Sequence, residues 1–357
     1  MSRIDELIER LCPDGVEYKE LKSVAKIVGG RDYKEYNEGG IPVYGSGGIM
    51  TYIDAAAYTG PTVLLPRKGS ISNVFYVEGP FWNVDTIFYT VIDQSQIMPR
   101  YFYHVMLNEH IEKLNTANAA RPALTRTVLD AIRIPVPPME VQEEIVRVLD
   151  SFAELEAELE AELEARRRQY AYYRDQLLTF RERVRWVPLG SVCRRIASGT
   201  NKTRQIEGRF PIYGSTGEIA RTDKAPYEGF RLLIARVGAN AGLVNAVDGC
   251  YDVSDNTLVV DFGESINGRF LFHVLVNENL NKHARGGGQP LITAGQLKSI
   301  EIPLPSLGEQ VRIAETLDRF DALVNDISAG LPAEIAARRK QYEYYRDKLL
   351  TFKEKTA

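Results

Sequence analysis

Hydrophobic residues recur along two long segments of the chain at steps of three and four. The first series runs from Val141 to Phe180, and the second runs from Ile313 to Phe352. A spacing near 3.5 residues is typical of coiled-coil helices, whose narrow apolar stripe requires a helical partner. These segments are therefore predicted to be long helices that pack on each other.

The remaining segments carry short runs of β-branched and aromatic residues between glycine and proline turns, which predict short strands. Among them are residues 63–65, 73–77, 86–91, 232–235 and 258–260. One helix is predicted after the strands of each segment, over residues 99–114 and 267–283. The globular parts are therefore predicted to be mixed α/β domains, and the fold class of the chain is α+β.

The chain is a tandem repeat. QYAYYRDQLLTF at residues 169–180 and QYEYYRDKLLTF at residues 341–352 agree at ten of twelve positions. Further landmarks return in the same order, at offsets close to 169. They are residues 44–48 and 213–217, 67–69 and 236–238, 85–86 and 256–257, 121–125 and 289–293, and 134–137 and 302–305. Such a shared order indicates a duplication.

The repeat predicts four parts: globular domains over residues 1–138 and 183–305, and spacer helices over residues 139–182 and 306–357. The second helix is expected to break at residues 328–332, since Pro332 suits the first turn of a restarted helix. Antiparallel packing of the helices would relate the repeats by a pseudo-two-fold axis. A helix of about 40 residues would make a rod of roughly 60 Å.

Composition excludes several classes of protein. No apolar run approaches the roughly 20 residues that span a bilayer, and the N-terminal segment lacks the apolar stretch of a signal peptide. Three cysteines without a CxxC pair fit a reducing cytoplasm. The net charge of −4 argues weakly against nucleic acid, but 12 acidic against 6 basic residues lie in residues 139–182. A DNA-facing surface elsewhere remains compatible with this distribution.

Catalytic and metal-binding motifs are missing from the sequence. It contains no Asp/Asn/Ser-Pro-Pro-aromatic tetrapeptide of the amino-methyltransferases, no convincing PD…(D/E)xK nuclease pattern and no phosphate-binding P-loop. The four histidines lack metal-ligand spacing. His104 and His110 lie on a predicted helix and are interpreted as structural. No catalytic residue, metal or bound cofactor is expected in this chain.

The order Ile-Pro-x-Pro, a glutamine about five residues later, a heptad helix and then QYxYYRDxLLTF, used twice, resembles the specificity subunit of type I restriction-modification systems. The resemblance covers essentially the whole chain. It implies two target-recognition domains that each read half of a bipartite site in double-stranded DNA. The helices would fix the gap and dock two adenine-N6 methyltransferase subunits, through which restriction subunits join. S-adenosylmethionine, ATP and Mg²⁺ are expected on those partners, in the cytoplasm and without a membrane.

Loops that recur in both repeats are the candidates for DNA contact. Glycines at residues 44–48 and 213–217 would let backbone N–H groups approach phosphate, although a plain turn is the alternative. Arg67, Lys68 and Arg236 end apolar strands and would contact phosphate or guanine, with Asn240 as a base reader; the alternative is solvated loop side chains. For the loops around residues 121–126 and 285–289 the alternative is a disordered tip. The predicted DNA contacts are Tyr44, Ser46, Gly47, Arg67, Lys68, Ser70, Arg121, Arg126, Ser215, Thr216, Arg236, Asn240, Arg285 and Gln289.

The repeated aromatic helix segment has two predicted roles. The tyrosines on the apolar stripe are predicted to form the helix–helix core; they are Tyr170, Tyr173, Tyr342 and Tyr345. Residues beside the stripe are predicted to dock the methyltransferase subunits; they are Tyr172, Arg174, Tyr344 and Arg346. Two other functions stay open at this point: a coiled-coil scaffold that binds only protein, and a stand-alone DNA methyltransferase or nuclease.

Overall fold

The computed structural model describes residues 3–115, 122–180, 184–202, 205–286, 289–326 and 329–355. The first globular segment contains α1 (Arg3–Leu11), β1 (Glu17–Glu20), α2 (Leu21–Val24), β2 (Ala25–Gly29), β3 (Glu38–Gly45), β4 (Gly48–Ile53), β5 (Tyr58–Thr59), β6 (Thr62–Pro66), β7 (Phe75–Val77), β8 (Pro80–Asn83), β9 (Ile87–Ile92), α3 (Pro99–Asn108), α4 (Arg126–Asp130) and β10 (Arg133–Val136). The long helix α5 (Met139–Leu178) follows.

The second globular segment contains β11 (Arg185–Pro188), α6 (Leu189–Val192), β12 (Cys193–Ser198), β13 (Phe210–Gly214), β14 (Gly217–Thr222), β15 (Tyr227–Glu228), β16 (Arg231–Ala235), β17 (Val244–Val247), β18 (Cys250–Val253), β19 (Thr257–Phe262), α7 (Gly268–Asn277), α8 (Ala294–Lys298) and β20 (Glu301–Leu304). Helices α9 (Leu307–Asn325) and α10 (Leu331–Leu350) complete the chain. The predicted break lies between them, and Pro332 is the second residue of α10.

Both globular segments build the same sheets. The first has the strand orders β2-β9-β6-β7 and β4-β3-β8-β5 and the pair β1-β10; the second repeats them as β12-β19-β16-β17, β14-β13-β18-β15 and β11-β20. The inner strand β6 is buried along its whole length. Val63 and Leu65 pack in the core that includes Tyr101 of α3, whereas Leu64 joins a separate apolar cluster with Phe81. A strand covered on both faces explains the continuous apolar run in the sequence.

Strand register corrects one landmark of the repeat. Residues 85–86 were aligned with residues 256–257, but Pro66 pairs with Ile87 and the equivalent Ala235 pairs with Thr257. Asp85 and its neighbour therefore correspond to residues 255–256, one position earlier. Thr86 and Thr257 share a residue type, but the strand pairing places Ile87 opposite the position that corresponds to Thr257.

The predicted helix over residues 99–114 is interrupted at His110. Its backbone adopts φ 46°, and Asn279 adopts φ 50° at the equivalent place in the second repeat. This left-handed conformation is uncommon for residues other than glycine and ends the α-helix. A short 3-10 helix follows in each repeat, over Ile111–Leu114 and Leu280–His283.

The compact units of the structure divide the long helices between them. One unit comprises residues 1–159 and 335–357, and the other comprises residues 160–334. In α5, Ile145 and Leu149 belong to the core of the first unit, while Tyr170 and Leu178 belong to the core of the second. The predicted division into four parts follows the order of the sequence. Each compact unit instead combines one globular segment with part of α5 and part of the helical region of the second repeat.

Aromatic contacts pair the helices inside each unit. In the first unit, Phe152 of α5 stacks on Tyr345 of α10 with ring centroids 5.3 Å apart. Further along α5, Glu156 forms an ion pair of 2.6 Å with Arg339, which lies earlier in α10, so these segments run antiparallel. In the second unit, Tyr173 stacks on Phe320 of α9 at 5.3 Å.

The other stripe tyrosines pack in the same way. Tyr170 stacks on Phe320 at 6.4 Å, and Tyr342 packs against the core of the first unit. Tyr170, Tyr173 and Tyr345 thus contact a partner helix, while Tyr342 packs in the core of the first unit.

A buried histidine joins each globular segment to its long helix. His104 of α3 has its Nε2 2.8 Å from Asp150 Oδ1 of α5, and His273 of α7 has its Nε2 2.7 Å from Asp318 Oδ1 of α9. Burial lowers the pKa of both histidines below the ordinary value, although the hydrogen bond to the carboxylate opposes this shift. Each imidazole is therefore neutral at pH 7 and donates its Nε2–H to the aspartate.

The free energy of unfolding should fall as the pH drops below about 6.5, where unfolded histidine takes up a proton that the folded side chain resists. Urea unfolding of His104→Gln should show a shallower decline between pH 7.5 and 5.5 than the parent chain. His110→Gln is the matched control, because that side chain is half exposed. An equal decline in all three proteins would contradict the assignment.

Candidate nucleic-acid interface

A tight hairpin joins β3 to β4 at the first predicted contact loop. Gly48 adopts φ 113°, and Gly47 is exposed at the tip. Ser46 is buried: its backbone N–H donates to Thr86 Oγ1 at 3.2 Å, and its carbonyl accepts from Asn73 Nδ2 at 2.9 Å. Ser46 therefore anchors the hairpin to two neighbouring loops, while the tip glycine is open to a ligand.

The Tyr44 ring packs against an apolar cluster in the interior of the domain. Its ring lies 5.9 Å from Phe75 and 6.2 Å from Phe81, and burial raises the pKa of its hydroxyl. Burial of Ser46 argues against its predicted DNA contact, whereas Tyr44 is half-buried and its predicted contact stays a prediction. Sequence alone could not separate a buried anchor from an exposed contact in the same five-residue loop.

The equivalent hairpin between β13 and β14 has the same form with a more open tip. Gly217 adopts φ 101°, Ser215 is half-buried and Thr216 is exposed. In both hairpins one extra residue bulges from the second strand, Met50 in the first and Ile219 in the second. The shared bulge shows that the duplication preserved the hairpin geometry.

The loop after β6 brings basic groups beside the first hairpin. The Arg67 guanidinium donates to the Asp85 carbonyl at 3.3 Å and lies over the Phe88 ring, 5.6 Å from its centroid. Lys68 Nζ lies 3.3 Å from the Asp85 carboxylate, and both side chains are at least half exposed. Ser70 is exposed in the same loop.

A third segment, residues 122–126, is bound to that loop by its backbone. Leu124 N donates to Arg67 O at 2.8 Å, and Gly69 N donates to Pro122 O at 3.2 Å. Arg126 is exposed at the beginning of α4 and forms an ion pair of 3.3 Å with Asp130. The predicted contact at Arg121 lies outside the residues that the structure describes.

The second domain joins equivalent segments. Gly238 N donates to Pro290 O at 3.0 Å, and Ile292 N donates to Arg236 O at 2.9 Å. Arg236 is half-buried, and its guanidinium donates to Ser198 Oγ at 3.3 Å. Asn240, Arg285 and Gln289 are exposed around this junction.

Each domain therefore gathers a glycine hairpin, a basic loop and an exposed third segment into one surface. We call these the first and second loop surfaces. The first comprises residues 45–52, 67–73 and 122–126, and the second comprises residues 214–221, 236–242, 285–286 and 289–292. Their exposed arginine, lysine, asparagine and serine side chains are of the types that donate hydrogen bonds to phosphate and base edges in protein–DNA complexes.

Sequence reasoning missed the exposed side chains of the hairpin strands. Ile49, Met50 and Tyr52 of β4 are 49%, 58% and 50% exposed. Alternation along β4 is broken by its bulge, which is why the pattern of the sequence did not mark these positions. Nothing in the sequence indicates that Asn73 anchors Ser46 either.

The described residues offer neither a metal-binding cluster nor a membrane-spanning helix. Among the described residues, no group of His, Cys, Asp or Glu side chains could hold a metal ion. Within that same part of the chain, no helix combines the length and apolar character needed to cross a membrane.

A family model described as the type I restriction modification DNA specificity domain matches the chain twice, over residues 13–165 and 187–337. The chain belongs to the type I restriction-modification specificity subunits. A putative specificity subunit of Haemophilus influenzae is 31% identical, over 94% of this chain and 96% of its own length. The EcoR124I/EcoR124II specificity subunit of Escherichia coli is 33% identical, over 74% of this chain and 73% of its own.

Solved structures share the fold of this specificity subunit. The S subunit of a type I restriction-modification system from M. genitalium has a TM-score of 0.68, with 15% identity over 94% of this chain and 96% of its own. A chain from a structure of type I complex assembly and conformational transition has a TM-score of 0.57, with 16% identity over 94% and 97%. The predicted two-domain repeat and its role as a non-catalytic DNA-recognition subunit are confirmed.

The predicted methyltransferase-docking residues separate into two groups. Tyr172 and Tyr344 are each 62% exposed. Arg174 lies over the Tyr170 ring, 5.8 Å from its centroid, and Arg346 lies over the Tyr342 ring at 5.7 Å. The two arginines are half-buried and pack within their own units, and their predicted part in docking stays a prediction.

Asp85→Asn should increase DNA affinity by freeing Lys68 for phosphate. An exposed ion pair contributes about 0–1 kcal/mol, so the gain at low salt should reach at most about fivefold. The salt dependence of binding should also steepen by about one counterion. Asp14→Asn makes the same charge change in the turn after α1 and is the control. Equal effects of the two substitutions would contradict a specific role for Lys68.

Proposed function

We propose that this specificity subunit reads both halves of a bipartite DNA site through its two loop surfaces and fixes the gap with its long helices. The observation that carries the proposal is the duplicated backbone scaffold under each loop surface, which supports different exposed side chains. A constant scaffold with divergent contacts is what recognition of two unlike half-sites requires.

The hairpin strands illustrate this divergence. By strand register, Ile49 and Tyr52 of β4 correspond to Glu218 and Arg221 of β14. Apolar side chains suit the methyl group of thymine in the major groove, whereas a carboxylate accepts a hydrogen bond from the amino group of cytosine. Glu218 and Arg221 form an ion pair of 2.7 Å, which DNA would have to open.

The helices provide the physical basis for a fixed gap. Helix α5 is continuous over 40 residues and contributes to the cores of both units. At 1.5 Å per residue it spans about 60 Å, a length sufficient for half-sites about one DNA turn, or 34 Å, apart. A continuous helix resists compression, so its length determines the distance between the groups that it carries.

Partner subunits complete the proposed complex. We expect Tyr172 and Tyr344 to offer the same exposed aromatic group to two copies of an adenine-N6 methyltransferase subunit, and restriction subunits to join through that complex. S-adenosylmethionine, ATP and Mg²⁺ would be bound by those partners, in the cytoplasm. Near-identical patches suit identical partners, since the same contacts can then be made twice.

Mapping of N6-methyladenine, with the methyltransferase subunits supplied, tests whether each domain recognises one half-site independently. Replacement of residues 1–138 by those of a relative should change one half-site and leave the other. The finer variant Ile49→Glu/Tyr52→Arg should reduce methylation of the original site about tenfold or more, because one mismatched contact costs about 1–3 kcal/mol. Changes in both half-sites would refute the proposal.

Deletion of residues 154–157, one turn of α5, should shorten the gap between the methylated half-sites. Glu156→Ala is the length-preserving control, since it removes the ion pair with Arg339 and keeps the helix length. An unchanged gap in the deletion variant would show that α5 does not set the distance.

A further inference from the structure

Each recognition domain is bound to its long helix by a set of buried polar side chains. Gln142, in the first turn of α5, is fully buried. Its Oε1 accepts from Met98 N at 2.8 Å, at the beginning of α3. Its Nε2 donates to Gln96 O at 3.1 Å and to Pro137 O at 2.8 Å. One side chain thus ties the end of the domain, the start of α3 and the start of α5 together.

Two turns later, Asp150 of α5 binds the same helix again. It accepts from Arg100 Nε at 3.0 Å and from His104 Nε2 at 2.8 Å. The Arg100 guanidinium also lies over two aromatic rings, 4.8 Å from the Tyr76 centroid and 5.1 Å from that of Tyr103. The start of α3 and its first two turns are therefore held along one face of α5.

The second repeat reproduces these hydrogen bonds, and Arg269 lies over one ring, that of Phe272, at 4.9 Å. Gln310 of α9 is fully buried, accepts from Asn267 N at 2.7 Å and donates to Pro305 O at 2.9 Å. Asp318 accepts from Arg269 Nε at 3.0 Å and lies 2.7 Å from His273 Nε2. The loop surfaces diverge between the repeats, but this set does not. We call it the helix clamp: Gln142, Asp150, Arg100 and His104 in the first repeat, and Gln310, Asp318, Arg269 and His273 in the second.

In the first unit, α10 holds the other end of α3. Arg346 Nε donates to Asn108 Oδ1 at 3.1 Å, and Asn108 is the last residue of α3. Helix α3 is thus attached to both long helices of its unit, at its first and last turns. This contact explains why Arg346 packs inside the unit although the sequence places it beside the apolar stripe.

Directional hydrogen bonds fix the relative orientation of two packed elements, which apolar packing alone does not do. Apolar burial is non-directional and tolerates small rotations between packed elements. A buried hydrogen bond requires its donor and acceptor in line, and breaking it leaves a buried polar group that costs about 1–3 kcal/mol. Several such bonds, spread over two turns of α5, therefore hold the domain in one orientation on this helix.

We propose that the helix clamp is a positioning device that restricts the complex to DNA sites with a single gap length. The inference rests on the proposed function, in which the long helices set the gap. Changing a gap by one base pair moves a half-site by about 3.4 Å and rotates it by about one-tenth of a turn. A domain free to swivel on its helix would accept such a site, whereas a clamped domain rejects it.

The test uses the complete complex with its methyltransferase subunits and a DNA library in which both half-sites are separated by the native gap and by gaps one or two base pairs shorter or longer. Gln142→Met and Gln310→Met keep side-chain length and remove the hydrogen bonds that the two glutamines contribute to the clamp. Gln176→Met, at an exposed position of α5, is the matched control. Initial rates of adenine methylation are measured for every gap.

We expect the parent complex and the control to methylate the native gap alone. Each clamp variant should keep both half-site sequences and raise the rate at gaps changed by one base pair at least tenfold relative to the native gap. If Gln142→Met does not fold, Arg100→Lys and Arg269→Lys loosen the same clamp at its half-exposed edge.

An unchanged gap preference in a folded variant, or an equal loss of rate at every gap, would overturn the inference, because either result assigns the clamp to stability alone. The one-turn deletion of α5 separates the two proposals. If that deletion leaves the gap unchanged, the proposed function fails. If the deletion shifts the gap while the clamp variants still methylate the native gap alone, only the inference about the clamp fails.

Discussion

The apolar stripe of α5 is buried in two different cores, and the architecture of this subunit depends on that division. Leu149 is buried against the first globular segment and Tyr170 against the second. A narrow stripe on a helix of 40 residues cannot remain in water without a large hydrophobic cost. Each half of α5 therefore finds a partner helix from the other repeat, α10 in one unit and α9 in the other.

Duplication has separated what is constant in the subunit from what varies. The helix segments, the clamp and the backbone scaffold of the loop surfaces agree in both repeats, because they meet the same packing and hydrogen-bonding demands. The exposed residues of the hairpin strands do not agree: Ile49 and Tyr52 stand where the second domain has Glu218 and Arg221. Polar and apolar groups at equivalent positions provide different base-reading chemistry on one fold.

Several DNA contacts predicted from the sequence are exposed in the loop surfaces, including Lys68, Asn240 and Arg285. Ser46 is buried and hydrogen-bonded, and Tyr44 is half-buried with its ring packed on Phe81. A glycine-rich turn can be recognised by its composition, but which of its side chains face solvent depends on the loops packed against it. Those loops are distant in the sequence.

The sequence by itself determined the duplication, the long helices with their break near Pro332, and the short strands of two α/β domains, because periodicity and turn chemistry are local properties. The resemblance of its repeated motifs added the family. Only the tertiary structure decided that α5 is shared between two units and that Gln142 and Asp150 clamp a domain through α3. Those partners lie more than 40 residues away, and their pairing depends on how the chain closes in space.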